Sequence, residues 1–479
     1  MTDSGGIPTH EIADAQAAGA RRPVDLGQSI GGERVAAGAR GRAVSPAFDT
    51  YHPPDRALID DCVHCGFCLP TCPTYVLWGE EMDSPRGRIY LMKEGLEGEP
   101  MSGVMVQHMD RCLGCLACVT ACPSGVQYGP LLEATRAQVE RRYPRGLPDR
   151  LYRALLFQFF PYPERLRMLL PVLRLWQRTG LRSAVRRSRL YERVPARLRT
   201  LDALAPPVTG RQEAVAAVTP ALGEERLRVG LLLGCVQRAF FSDANAATVR
   251  VLAAEGCAVV APPGQGCCGA LSEHTGREAE AAAFARRLID TFEQEQVDVI
   301  AVNVAGCGSH MKEYAHLLRD DPRYAARARR FAKRVRDVSE ILAELPPRAD
   351  YGSLSTSAVY HDACHLAHGQ GIRSQPRELL RRIPGLDLRE VPREREICCG
   401  SAGTYNLLQP EAAAELGERK ACAVLDAGAE VLVTANPGCH LQITASARAL
   451  GHELRAMHVM EMLDASIAAG DALGVVQED

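Results

Sequence analysis

The pattern of apolar and polar positions changes sharply along the chain. From Leu227 onward, short apolar runs alternate with amphipathic segments, the signature of buried strands and the helices that cover them. Arg228–Leu233 reads as a strand running to Cys235, Asn245–Glu255 as a helix and Ala258–Val260 as the next strand. Val299–Val302 and Val431–Val433 are further buried strands, each leading to a Gly-Cys pair, with helices over Glu278–Gln294 and Pro410–Ala427 between them. Strands alternating with helices predict a parallel sheet, and ligands gather in the loops at the carboxyl ends of such strands. Apart from Cys257 and Cys422, every cysteine of this half is expected in such a loop.

Two other stretches lack that alternation. Residues 1–50 are rich in Gly, Ala and Arg without periodicity and predict a disordered arm. Residues 141–199 carry 16 Arg, no Lys and only Asp149, Glu164 and Glu192 as acids, interleaved with Leu155, Leu156, Phe157, Leu169, Leu173 and Trp176. That composition suits a basic amphipathic surface for anionic lipid or a partner. It suits equally a packed helical connector whose Arg stems cover apolar surface. No run reaches the roughly 18 apolar residues of a membrane span.

Length and charge narrow the class. A chain of 479 residues implies about two to four domains. A net charge of −2 gives no field for nucleic acid. The 18 cysteines change the picture most. Met1–Ala20 carries Asp3, Glu11 and Asp14 and no apolar run, unlike a secretory signal. A reducing cytoplasm is therefore expected, where clustered thiols bind metal or do redox work. Peripheral contact with the cytoplasmic face of the inner membrane stays open.

Two cysteine runs are alike: Cys62-x2-Cys65-x2-Cys68-x3-Cys72-Pro73 and Cys112-x2-Cys115-x2-Cys118-x3-Cys122-Pro123. This is the bacterial ferredoxin run, in which three thiolates hold one [4Fe–4S] cluster and the fourth cysteine reaches the other. One cluster is thus assigned to Cys62, Cys65, Cys68 and Cys122, the second to Cys112, Cys115, Cys118 and Cys72. Gly66 and Gly114 let the loops approach the inorganic core. A pair of zinc sites fits less well, because zinc favours two separate CxxC pairs.

The second half contains an internal repeat. Cys235, Cys267-Cys268-Gly269 and Cys307 are followed in the same order by Cys364, Cys398-Cys399-Gly400 and Cys439. The intervals agree: 31 and 33 residues before the cysteine pair, 37 and 38 after the glycine. Each copy offers four thiolates, a full set for a cluster, so one or two further iron–sulfur clusters are an open expectation. Cys257 and Cys422 read as buried structural cysteines.

These motifs, with Asp83-Ser-Pro-Arg-Gly-Arg-Ile-Tyr90, Gly266-Cys-Cys-Gly-Ala270 and Cys398-Cys-Gly-Ser-Ala-Gly-Thr-Tyr405, resemble the iron–sulfur subunit of glycolate oxidase over residues 55–465. Lactate-utilisation and anaerobic glycerol-3-phosphate dehydrogenase iron–sulfur proteins are related, and the second half is similar to the cysteine-rich domains of heterodisulfide reductase. The resemblance implies noncubane clusters held by a CCG pair and a terminal CxxC. This chain departs from that pattern: its termini read Cys307-Gly-Ser-His310 and Cys439-His-Leu-Gln442. A fifth thiolate is missing from both copies, and His310 is a candidate substitute.

The expected fold is multidomain, α+β and α/β: a disordered arm (1–50), a helical two-[4Fe–4S] ferredoxin-like domain (51–135), a basic helical connector (136–222) and a duplicated α/β CCG domain (223–348 and 349–479). No GxGxxG after a strand, P-loop or nucleophile elbow is present, so bound flavin or nicotinamide has no signal. His361-Asp362-x-Cys364-His365 suggests a Cys–His nucleophile, but Cys364 opens the second repeat and ligation is the better reading. The resemblance implies a relay of electrons from FAD-containing dehydrogenase subunits through clusters to a quinone or another acceptor, with glycolate or another 2-hydroxy acid oxidised elsewhere in the complex. D-lactate, glycerol-3-phosphate and heterodisulfide-reductase-like complexes are the alternatives.

Overall fold

A computed structural model describes residues 46–208 and 213–474. The arm expected over residues 1–50 lies outside these up to residue 45, and its last residues depart from the expectation. Ala47 and Phe48 are buried in one core with Met92 and Met109, and the Ala47 amide donates to the Glu99 carbonyl at 3.0 Å. Two apolar side chains that find a core are held there.

The amino-terminal cysteine region is helical, as expected. Arg56–Asp60, Pro73–Trp78, Pro85–Leu96, Gly103–Arg111, Ala117–Ala121 and Tyr128–Arg142 surround the two cysteine runs. Proline at the first position of Pro73–Trp78 and Pro85–Leu96 fixes where those helices begin.

The basic segment forms the helices Leu147–Phe159, Pro163–Arg178, Leu181–Arg187, Arg189–Glu192 and Ala196–Leu204, and it combines features of both expected readings. Many of its arginines are tied internally: Arg145 to Asp110 at 2.7 Å, Arg153 to Asp149 at 2.9 Å, and Arg182 and Arg186 to Asp202 at 3.0 and 2.6 Å. Yet Leu147, Leu151 and Leu155, one face of the first helix, are exposed, as are Met168 (75%), Val172 (67%) and Leu175 on the second.

The described residues beyond 212 contain two sheets. In the first, β1 (Val218–Thr219), β2 (Leu227–Leu232), β3 (Cys257–Val260), β4 (Val299–Val302) and β5 (Val335–Asp337) lie in the order β1-β3-β2-β4-β5. In the second, β6 (Thr356–His361), β7 (Leu386–Glu390), β8 (Val431–Thr434) and β9 (Arg455–Met457) lie in the order β7-β6-β8-β9. Apart from β1, which runs antiparallel to β3, every pairing is parallel. Strand for strand, β3-β2-β4-β5 repeats as β7-β6-β8-β9, so the sequence repeat is a repeat of fold. β3, β4 and β8 are almost wholly buried, and so read as unbroken apolar runs. The two sheets share one core, in which Val229 and Leu231 join Val359 and Leu432.

One expectation needs correction. Cys307, Cys364 and Cys439 lie in the first turns of helices rather than in loops: Ala305–Lys312, Cys364–Ala367 and Pro437–Ala449. Only Asn303 and Val304 separate β4 from its helix, and only Ala435 and Asn436 separate β8 from its own. No length remains for a loop.

Candidate metal centres

The ferredoxin-like cysteines gather into two cavities. Cys62, Cys65, Cys68 and Cys122 line one of about 290 Å³, together with Gly66, Arg86 and Val126. Cys72, Cys112, Cys115 and Cys118 line another of about 310 Å³, with Thr74, Arg88 and Tyr128. Each cavity draws three cysteines from one run and the fourth from the other. The exchange follows from local structure: Cys72 caps the start of Pro73–Trp78 and Cys122 closes the end of Ala117–Ala121. The following proline then carries the chain away in each run.

The loops require their glycines. Gly66 sits at φ +86°, and a Cβ there would stand 2.9 Å from Arg86 Nη1. Arg86 in turn donates to the His64 carbonyl at 3.1 Å and to Glu81 at 2.6 Å, fixing the first loop from outside.

Behind the second cavity lies a buried ionic knot whose role the sequence did not reveal. Asp83 and Arg88 are fully buried. Asp83 accepts from Arg88 at 3.2 Å, pairs with His108 Nδ1 at 2.9 Å and accepts from Arg111 at 2.9 Å. Arg88 Nε also donates to the His108 carbonyl at 2.7 Å, and Thr74 Oγ1 donates to the Asp83 carbonyl at 2.6 Å and lies 3.3 Å from Cys72 Sγ. The Asp83–Tyr90 motif is therefore the frame on which Cys72 is hung. Burial opposes ionisation of the Cys112 thiol, but the guanidinium charges of Arg88 and Arg136 outweigh it and hold that thiol below its ordinary range. Burial raises Cys68 to about 11 and Cys118 well above the usual thiol range.

In the repeats the cysteines converge at the carboxyl ends of the central strands. Cys267 Sγ lies 3.5 Å from Cys235 Sγ, and the Gly269 amide donates to Cys267 Sγ at 3.3 Å. Hydrogen bonds with Cys267 and Cys307 hold the Cys268 thiol far below its ordinary range, while Cys267 is pushed far above its own by Cys235 and then Cys268, and Cys307 by Cys268. The second copy repeats this: Cys399 and Cys364 are held down, Cys398 and Cys439 pushed up. Thiolates this close repel one another strongly in a buried site, so all four ionise together only around a positive centre. This donor chemistry fits an iron–sulfur cluster, as do the two amino-terminal cavities. Cys257, at the start of β3, is buried in the shared core apart from both sets, and Cys422 lies half-buried on the helix Pro410–Leu425.

Three of the four thiol sets adjoin: the two amino-terminal sets share one apolar cluster. Cys115 and Cys398 belong to one apolar cluster with Leu113, Tyr405 and Leu416, against which Cys364 packs. Burial and then the proximity of Cys364 drive the Cys115 thiol up. Between the two repeat sets lie three buried or half-buried imidazoles. His274 stacks on His365 with centroids 5.0 Å apart and meets His310 edge-on at 6.2 Å. Glu133 of the helix Tyr128–Arg142 reaches His274 at 3.7 Å. Nothing in the sequence marked Glu133 or His274.

Asp362 does not support a Cys–His nucleophile. Its carboxylate accepts from Arg377 at 2.9 and 2.6 Å and from Arg395 at 3.1 Å, leaving no orienting group for a histidine. His365 Nδ1 lies 3.7 Å from Cys364 Sγ, one of several neighbours around a thiol that faces Cys398.

Comparison with known proteins places this arrangement. Residues 58–126 match the 4Fe-4S dicluster domain family, 148–205 match the linker region of the glycolate oxidase iron-sulfur subunit, and 229–312 and 358–444 each match the cysteine-rich domain family. The chain is 38% identical over 419 residues to a probable glycolate oxidase iron-sulfur subunit of Bacillus subtilis, covering 85% of this chain and 94% of that protein. It is 38% identical to the glycolate oxidase iron-sulfur subunit of Escherichia coli, covering 82% of this chain and 91% of that protein. Lactate utilization protein A of Bacillus cytotoxicus is 30% identical over half of this chain and 99% of its own length. With two crossed cysteine cavities, a matching linker and a duplicated cysteine-rich fold, the chain belongs to the glycolate oxidase iron–sulfur subunit family.

Proposed function

We propose that this iron–sulfur electron-transfer subunit serves a glycolate (2-hydroxy acid) dehydrogenase complex, receiving electrons from FAD-containing subunits and delivering them toward a quinone. The observation that carries this reading is the adjacency of the thiol sets, from the cavity of Cys62 through that of Cys112 to Cys364 and Cys398. When bound, iron–sulfur clusters take up and release electrons singly. The chain supplies the rest. Cys62, Cys65, Cys68 and Cys122 hold one cube, and Cys112, Cys115, Cys118 and Cys72 hold the other. Cys235, Cys267, Cys268 and Cys307, and Cys364, Cys398, Cys399 and Cys439, hold the clusters of the repeats. Arg88 and Arg136 favour the ionised form of Cys112, and the apolar cluster around Leu113 and Leu416 excludes water between neighbouring sets.

Substrate oxidation belongs to the partner subunits. The exposed rows Leu147-Leu151-Leu155 and Met168-Val172-Leu175 offer those subunits a docking face in the segment that matches the glycolate oxidase linker. Among the described residues no helix is long and apolar enough to cross a membrane. A lactate-oxidising complex is the second reading, favoured by the similarity to lactate utilization protein A, which covers only half of this chain.

Reconstitution tests this. The chain purified anaerobically with its flavoprotein subunits is expected to reduce a quinone analogue with glycolate faster than with D-lactate. The chain alone is expected to show no turnover with either. Glycolate-dependent dye reduction by the isolated chain would sink the proposal.

A further inference from the structure

We infer that each cysteine set of the repeats is completed by one imidazole nitrogen, from His361 in the second copy and from His310 in the first. This rests on the reading that both sets hold iron–sulfur clusters.

His361 is the last residue of β6 and is buried. Its ligating nitrogen and the Sγ atoms of Cys399 and Cys439 all lie within 4.8 Å of one another. Its Nδ1 is buried with no hydrogen-bond partner. The adjacent carboxylate, Asp362, is spent on Arg377 and Arg395 and does not serve the imidazole. A buried polar atom left unpaired is costly, so an orphan nitrogen on a ring that lies beside two thiols calls for a partner.

The first copy solves the same problem from another position. His310 follows Cys307 by one helical turn on Ala305–Lys312 and is buried. Its Nε2 is also buried without a partner, and lies 3.3 Å from where a Cβ on Gly269 would stand, the glycine that follows Cys268. The absent side chain at position 269 leaves that nitrogen room beside the cysteine pair.

The two copies are complementary at both positions. β2 and β6 are equally long and each ends three residues before its first cysteine, so Leu232 stands in the first copy where His361 stands in the second. Leucine carries no donor. Three residues after the last cysteine, Gln442 replaces His310, and its amide is fully engaged: Nε2 donates to the Ala413 carbonyl at 2.9 Å and Oε1 accepts from Asn406 at 3.0 Å. Of these two positions, each copy therefore carries an imidazole with an unpaired buried nitrogen at one and no imidazole at the other. This accounts for the loss of a fifth cysteine from both termini.

The chemical consequence is a difference in charge. A neutral imidazole in place of a thiolate leaves the cluster less negative and easier to reduce, as histidine does in Rieske centres.

Pulse EPR on the full chain, purified anaerobically and labelled with ¹⁵N-histidine, tests this without any substitution. Label-dependent nitrogen couplings of directly ligating strength are expected from the repeat clusters. His361→Ala should remove one coupling and His310→Ala the other, while His361→Cys retains its cluster and shifts its midpoint potential negative. Protein with about sixteen irons and no label-dependent coupling overturns the inference alone. Protein with only about eight irons, or with zinc at His361, Cys399 and Cys439, overturns it together with the cluster reading beneath it.

Discussion

Cys72 shares its cavity with Cys118, not with Cys68 four residues before it. Cys72→Ala is therefore expected to disrupt the cube held mainly by Cys112, Cys115 and Cys118, with a loss of up to about four irons. Cys122→Ala should disrupt the other. EPR of each variant, with iron quantitation, reads the outcome. Damage confined to the cube of the variant's own run would reject the crossed ligation.

The Asp83–Arg88 pair predicts a stability effect. Replacing Arg88 by Met leaves a fully buried carboxylate with His108 and Arg111 only. Loss of one partner from a buried pair costs about 3–5 kcal/mol. Anaerobic denaturant unfolding should show this loss, and Asp83→Asn should be as damaging. An Arg88→Met protein as stable as the parent would contradict the role assigned to the knot.

His458 predicts a pH dependence. Burial lowers its pKa from the ordinary 6.5 to about 4, despite its contact with the Asn303 carbonyl. Below pH 6.5 the unfolded chain takes up a proton that the folded chain refuses until about pH 4. Stability from this residue is thus present above 6.5 and declines as pH falls, by up to about 3 kcal/mol at pH 4. Between these values, His458→Gln should flatten the pH profile of unfolding relative to the parent, whatever its absolute stability. An unchanged slope would show that His458 titrates normally.

Triple substitution of Leu151, Met168 and Val172 by Glu tests the linker face. These side chains touch no cluster site, so iron content and EPR should be unchanged. Co-purification with the flavoprotein subunits should weaken about tenfold or more. Intact complex formation with lost binding to anionic phospholipid vesicles would instead assign the face to lipid.

Much of this was legible in one dimension because the physics is local or periodic. Strands such as Val299–Val302 are covered on both faces and read as unbroken apolar runs. Ferredoxin spacing reports how a loop wraps a cube, so the partition of eight cysteines into two cavities was foreseen. What stayed hidden depends on distant segments meeting. Asp83 and Arg88 stand in the sequence only as members of the Asp83–Tyr90 motif, and it is packing that buries them together. His361 stands in the sequence within a candidate Cys–His nucleophile, and only the positions of Arg377 and Arg395 show that Asp362 is occupied elsewhere. Glu133 and His274 are joined across 140 residues, which no motif spacing could announce. The helical placement of Cys307 and Cys439 was missed because a sequence does not show how short the turn after a strand will be.

Unequal shelter divides the two amino-terminal cavities. Cys65 is exposed, with Val63 and Phe67 open to solvent beside it, whereas Cys72, Cys112, Cys115 and Cys118 are all buried. Dioxygen therefore meets the outer site first. On brief exposure to air the protein should bleach in two phases, the fast one belonging to the cube of Cys65 and the slow one to its sheltered neighbour.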